Sequence, residues 1–219
     1  MNLSLGELEA LCRKAARGAG FDWGPAEEAG RAVRRLAAVG LPGPRLLLAR
    51  LAARDGTPAR ELSPRSFEAE WRSGGTALCP ILAGASLADT AARLGDGDEL
   101  VLHDVIAPLL VVPFAATAAR QLGRPVAVAW AHLVATTDGE TLRISGALEG
   151  TSDECAERVG CRTATSVDDA PGEPLPRVTR ARIDHACLAR LDAFAQRTYA
   201  PATEASRSRG AGGASTDDD

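Results

Sequence analysis

The sequence predicts an α+β fold: an amino-terminal helical unit packed on a small mixed β-sheet, with a helix at the carboxyl end. Three observations carry that prediction. The first 55 residues repeat apolar side chains at helical spacing. Residues 126–147 alternate with a period of two around an Asp-Gly turn. Residues 177–196 then return to helical spacing.

The elements follow in order. Ser4 with Glu7 three residues later is a capping box, in which the hydroxyl serves the third amide and the carboxylate reaches back. Leu5, Leu8, Leu11, Cys12, Ala15, Ala16 and Ala19 continue that first helix, and Gly18 and Gly20 stop it. Pro25 suits a first helical position, and Ala26, Ala29, Val33, Leu36 and Ala37 give the second helix an apolar side. Arg31, Arg34 and Arg35 read as its solvated face, and Gly40 as its end. A third helix is expected over 46–53. Residues 56–75 read as a connector, with Phe67 and Trp71 four apart on one helical turn.

From residue 76 the pattern changes. Residues 86–94 read as a short helix ended by Gly95, and Asp96-Gly97-Asp98 as a turn. Residues 99–105 fit a buried strand, and Pro113 opens a helix that Gly123 stops. Val126, Val128, Trp130, His132 and Val134 alternate with small or apolar residues, so 127–136 reads as one central strand covered on both faces. Residues 137–140 make a hairpin turn, and 141–147 return as a strand. Residues 149–176 are polar and proline-rich and read as loop with one edge strand at most. Three units result: a helical unit over 1–55, an α+β body over 76–199 and a flexible tail over 200–219, together forming one compact domain.

Composition narrows the function. The chain has 219 residues, is 45% hydrophobic and carries a formal net charge of -4. That apolar fraction is enough for a core, and no apolar run reaches the roughly 18–20 residues of a membrane span. Lys14 is the only lysine; positive charge is otherwise arginine, scattered among acids. Such a balance argues against nucleic acid as a partner. No basic-then-apolar leader opens the chain, and the five cysteines show no metal-knuckle spacing, so they read as reduced thiols in a cytoplasm. No motif specifies a metal or a cofactor.

The segment from residue 11 to 43, LCRKAARGAGFDWGPAEEAGRAVRRLAAVGLPG, resembles the amino-terminal signature of an uncharacterised bacterial family, a domain of unknown function. The carboxyl end, RTYAPATEASRSRGAGGASTDDD, and the internal stretches LCPILAGASLAD and VVPFAATAA are similar to it as well. The resemblance spans most of the chain and implies no particular activity, cofactor or catalytic residue.

Three constellations could carry chemistry. His103 and Asp104 end a strand and His132 sits beside Trp130; neighbouring strands would bring the two histidines together as acid–base groups. The Gly18–Gly24 turn holds Trp23 ahead of a helix start. The tail offers Tyr199 and Arg207 among hydroxyls and glycines. One reading is therefore a cytoplasmic enzyme or enzyme component acting on a small polar metabolite, with His103, Asp104 and His132 catalytic and Trp23, Tyr199 and Arg207 binding substrate. The other is a non-catalytic assembly partner of a metabolic enzyme, its alanine-rich helices packed on a partner subunit or a second copy.

Overall fold

The computed structural model of the chain describes residues 1–53, 55–95, 99–147 and 155–199. The 96–98 turn, the 200–219 tail and Arg207 within it lie outside the described residues. The chain opens with strand β1 (Asn2–Ser4) and helices α1 (Leu5–Gly18), α2 (Trp23–Ala37), α3 (Gly43–Ala53) and α4 (Ala59–Leu62). Strand β2 (Glu70–Trp71), helix α5 (Pro80–Asp89), strand β3 (Glu99–Ile106) and helix α6 (Val112–Leu122) follow. Strands β4 (Val126–Trp130), β5 (Leu133–Thr137), β6 (Leu142–Ser145), β7 (Cys155–Thr163) and β8 (Arg180–Arg182) lead to helix α7 (His185–Gln196). The fold class is α+β, as the hydrophobic periods predict.

The capping box forms at α1. Ser4 Oγ accepts from the Glu7 amide at 3.2 Å, and Glu7 Oε2 accepts from the Ser4 amide at 2.8 Å. Leu8, Cys12, Ala15 and Ala16 are its buried face. Alanine-rich helices bury little area each, so their axes must come close to gain contact. Glycines permit that approach: a Cβ on Gly30 would lie 2.8 Å from the Glu9 carbonyl oxygen across the α1–α2 interface. A Cβ on Gly18 would fall on the carbonyl of Phe194, so α7 crosses α1 there. The Asp184 carboxylate caps α7 by accepting from the Cys187 amide at 2.7 Å, and the helix starts at His185 rather than near 177. The ends of the chain are tied by β1 and β8, which pair antiparallel with Leu3 opposite Ala181.

The main sheet has six strands in the order β2-β3-β7-β4-β5-β6, with β2 and β3 parallel and the other pairs antiparallel. Three readings are corrected here. The 127–136 strand is two strands, since Ala131 and His132 form a tight turn in which Ala131 has φ 47°. Nothing in that alanine-rich run marks the turn, because a glycine or asparagine is absent where φ is positive. The 149–176 segment contains β7, which is the third strand of the sheet and not an edge. Its Val159 and Cys161 are buried, while Arg158 and Arg162 lie on the other side. Trp71 is likewise not on a helical turn: it is fully buried in β2 beside Leu102, with Phe67 edge-on to its ring at 5.3 Å.

One face of the sheet joins the helices in a single apolar core. Leu100, Leu102, Val159, Cys161, Val128 and Trp130 belong to it, together with Leu36, Leu46, Ile81, Phe114 and Leu191. The opposite face carries no helix in that core. There Glu99 and Arg158 pair at 2.5 Å, with the Glu99 side chain lying over Gly160. The expectation that the 127–136 strand is covered on both faces holds for β4, where Val128 and Ala127, on opposite faces, are both buried and Ala129 is half-buried.

Candidate functional site

The described residues leave the expected site groups in three separate places. His103 lies on the helix-free face of β3, where its Nε2 is 3.2 Å from Arg72 Nη2 and 3.4 Å from Glu70 Oε2. That nitrogen can accept from the arginine or donate to the carboxylate, but not both at once. Asp104, next to it, adopts φ 53°, a conformation aspartate tolerates better than most residues. Its carbonyl accepts from the Leu78 amide at 2.8 Å, which fastens β3 to the segment before α5. His132 is exposed in the β4–β5 turn. Strand β7 separates β3 from β4: Leu102 and Trp130 flank Val159 from opposite sides, so the two histidine-bearing segments stand about 10 Å apart, two strand spacings. His103 turns toward β2 and away from His132.

Trp23 and Tyr199 lie elsewhere, each against a different cation of one cleft. A cleft of about 460 Å³ opens between the last turns of α1, the start of α2 and the end of α7. Arg13, Lys14, Arg17, Trp23, Arg197 and Thr198 line it. Lys14 Nζ donates to the Tyr199 hydroxyl at 2.9 Å and sits 5.4 Å from the ring centroid. The Arg17 guanidinium lies 4.8 Å over the Trp23 ring and donates to the Phe21 carbonyl. Both aromatics stay accessible, Trp23 66% and Tyr199 54% exposed. The turn that delivers Trp23 is held from below, because Phe21 is buried against the Arg50 guanidinium at 4.3 Å. Trp23 itself does not pack the helix hairpin.

Charge sets this cleft apart. Arg197 is neutralised by Asp55, with both carboxylate oxygens 2.8 Å from Nη1. Among the described residues no carboxylate pairs with Arg13, Lys14 or Arg17. Three cations thus share one concavity in a chain whose net charge is negative. The carbonyl ends of α1 and α7 favour cations nearby but carry only about half a charge each.

Sequence reasoning did not single out Arg13, Lys14 and Arg197. The first two were legible, since Arg13, Lys14 and Arg17 fall on neighbouring positions of one helix and Lys14 is the only lysine. Arg197 was not, because its partner is 142 residues away. The cysteines form no cluster: Cys155 and Cys161 are six strand positions apart on β7, about 20 Å. Among the described residues, no group of three His, Cys, Asp or Glu side chains could hold a metal ion, and no helix is long and apolar enough to cross a membrane.

Residues 3–76 match a protein family described as Protein of unknown function (DUF3726). That segment supplies Arg13, Lys14, Arg17 and Trp23 to the cleft, while Arg197, Thr198 and Tyr199 come from beyond it. No curated protein matches the chain.

Proposed function

We propose that the chain binds a small, multiply anionic metabolite in the α1–α7 cleft, as an enzyme or as the binding component of one. The carrying observation is the set of three cations without a carboxylate partner among the described residues, flanked by two exposed aromatic rings. Guanidinium and ammonium groups supply charge-assisted hydrogen bonds to phosphate or carboxylate oxygens. Trp23 and Tyr199 offer flat surfaces for the uncharged part of the same molecule. A volume of about 460 Å³ falls in the range of small-molecule sites.

Catalytic roles for His103, Asp104 and His132 belong to the enzyme form of this reading and need a substrate that reaches the helix-free sheet face. His103 has the better setting, with Glu70 and Arg72 at hand. The assembly reading calls for a large exposed apolar patch. Among the described residues the exposed large apolar side chains, Met1, Trp23, Phe67, Val178 and Tyr199, lie on separate segments, so no observation favours it.

Calorimetric titration of the full chain with pyrophosphate at low salt tests the proposal. Saturable binding of one equivalent is expected, weakened about tenfold or more by Lys14→Gln or Arg17→Gln, the worth of one charged hydrogen bond. His103→Ala should leave that affinity unchanged. Absence of binding, or equal binding by the Lys14 and Arg17 variants, defeats the assignment.

A further inference from the structure

A second cleft, of about 200 Å³, opens where the end of α2 and the face of α6 meet the β5–β6 turn. Its floor is apolar, with Leu36, Val112 and Leu142 each more than nine-tenths buried. Three guanidinium groups, from Arg35, Arg120 and Arg177, stand around that floor with one carboxylate, Glu140.

The carboxylate is already shared. Glu140 Oε2 accepts from Arg177 at 2.7 Å, and its Oε1 lies 3.6 Å from Arg120. Arg120 also donates to the Gly139 carbonyl at 2.5 Å. Arg35 reaches across from α2 instead, and its Nη1 donates to the Pro113 carbonyl at 2.7 Å and to Thr117 Oγ1 at 2.5 Å. Among the described residues no carboxylate forms an ion pair with it. Arg35 is exposed with Arg31 and Arg34 on the solvated α2 face, but it turns toward α6, whereas those two find Glu27, Glu28 and Glu9. Burial, and next the Arg120 guanidinium, hold the Arg35 guanidinium below its usual range. An anion placed between the two arginines offsets both influences, because an opposite charge nearby favours the charged form.

We propose that this cleft binds a small organic acid, its carboxylate taken by Arg35 and Arg120 and its apolar body laid on Leu36, Val112 and Leu142. Two features of the cleft select that class. A bare inorganic anion would leave the apolar floor uncovered, and a neutral apolar molecule would leave two positive charges facing each other. Glu140 competes with the ligand for Arg120, so it sets the affinity from the other side. The proposal stands apart from the α1–α7 cleft, which shares none of these residues.

The test uses the full chain, with benzoate as the probe and benzamide as its uncharged counterpart, read by calorimetry and by ligand-observed NMR. Benzoate is expected to bind saturably and benzamide at least about tenfold more weakly. Arg35→Gln should lower benzoate affinity about tenfold or more, whereas Arg31→Gln and Lys14→Gln should not change it. Glu140→Gln should tighten benzoate binding. If Arg35→Gln fails to fold, Ala116→Leu decides, since it fills the floor without touching a charge and should abolish binding. Equal affinity for benzoate and benzamide overturns the proposal, as does retained binding in Arg35→Gln or Ala116→Leu, or weaker binding in Glu140→Gln.

Discussion

Two buried tryptophans show how one hydrogen bond separates residues that share a size and a burial. Trp71 Nε1 donates to the Glu68 carbonyl at 2.8 Å. Trp130 Nε1 is buried with no hydrogen-bond partner among the described residues. Replacing tryptophan by phenylalanine removes similar volume at both, but at Trp71 it also breaks a bond, and at Trp130 it removes an unsatisfied donor. Trp71→Phe should therefore be more destabilising than Trp130→Phe by about 1–3 kcal/mol in urea unfolding. Equal losses would show that the Trp130 donor is satisfied. Neither difference was legible beforehand, since Trp71 read as part of a helical turn with Phe67 and Trp130 as part of a central strand, and neither reading locates an indole partner. The cations of the α1–α7 cleft lie between these cases. Their spacing on α1 is written in the sequence, but the rings and the α7 end that complete the cleft come from tertiary contact.

At the scale of elements, helices were the most legible, because their caps and stops are local. Ser4 with Glu7, Gly20 and Gly123 each do in the structure what their chemistry suggests, whereas Pro25 stands at the third position of α2, which opens at Trp23. Strands were less so, because pairing is non-local. The β4–β5 turn uses Ala131 at positive φ, and β7 hides its buried residues among arginines and glutamates. The helix approach over Gly18 was legible only as a stop signal, yet it also positions α7 on α1. Gly18→Ala should cost about 1–3 kcal/mol and open the cleft, because the obstacle is the Phe194 backbone and not a side chain that can swing aside. Gly6→Ala, on the same helix with nothing within 4 Å of the new Cβ, should be neutral or stabilising by up to about 1 kcal/mol. Thermal unfolding of the two variants checks the contrast, and comparable melting temperatures would contradict the packing described.

Across the whole molecule, the apolar core fixes the alkaline limit of stability. Cys161 is fully buried, and burial with Glu99 nearby pushes its thiol from 9.0 up to about 12. Burial likewise pushes Cys187 up to about 11, helped by Asp184, and raises Cys12 further. A group whose folded pKa is raised stabilises fully below its unfolded pKa and loses that contribution as pH climbs toward the folded value. Stability should therefore fall from about pH 9 toward pH 11–12 as unfolded thiols ionise and folded ones do not. Urea midpoints across that window test this, and a flat profile would contradict it. The same core holds α1, α2 and α7 in the arrangement that gathers charge at their ends. The most direct measurement of that central claim exploits the single lysine. Amine acetylation of the full chain, followed by peptide mass spectrometry, reads Lys14 against the amino terminus as internal reference. Pyrophosphate should slow acetylation of Lys14 in proportion to site occupancy and leave the amino terminus unchanged, and the protein acetylated at Lys14 should bind pyrophosphate about tenfold or more weakly. Unchanged Lys14 reactivity at saturating pyrophosphate would place the ligand elsewhere and contradict the account.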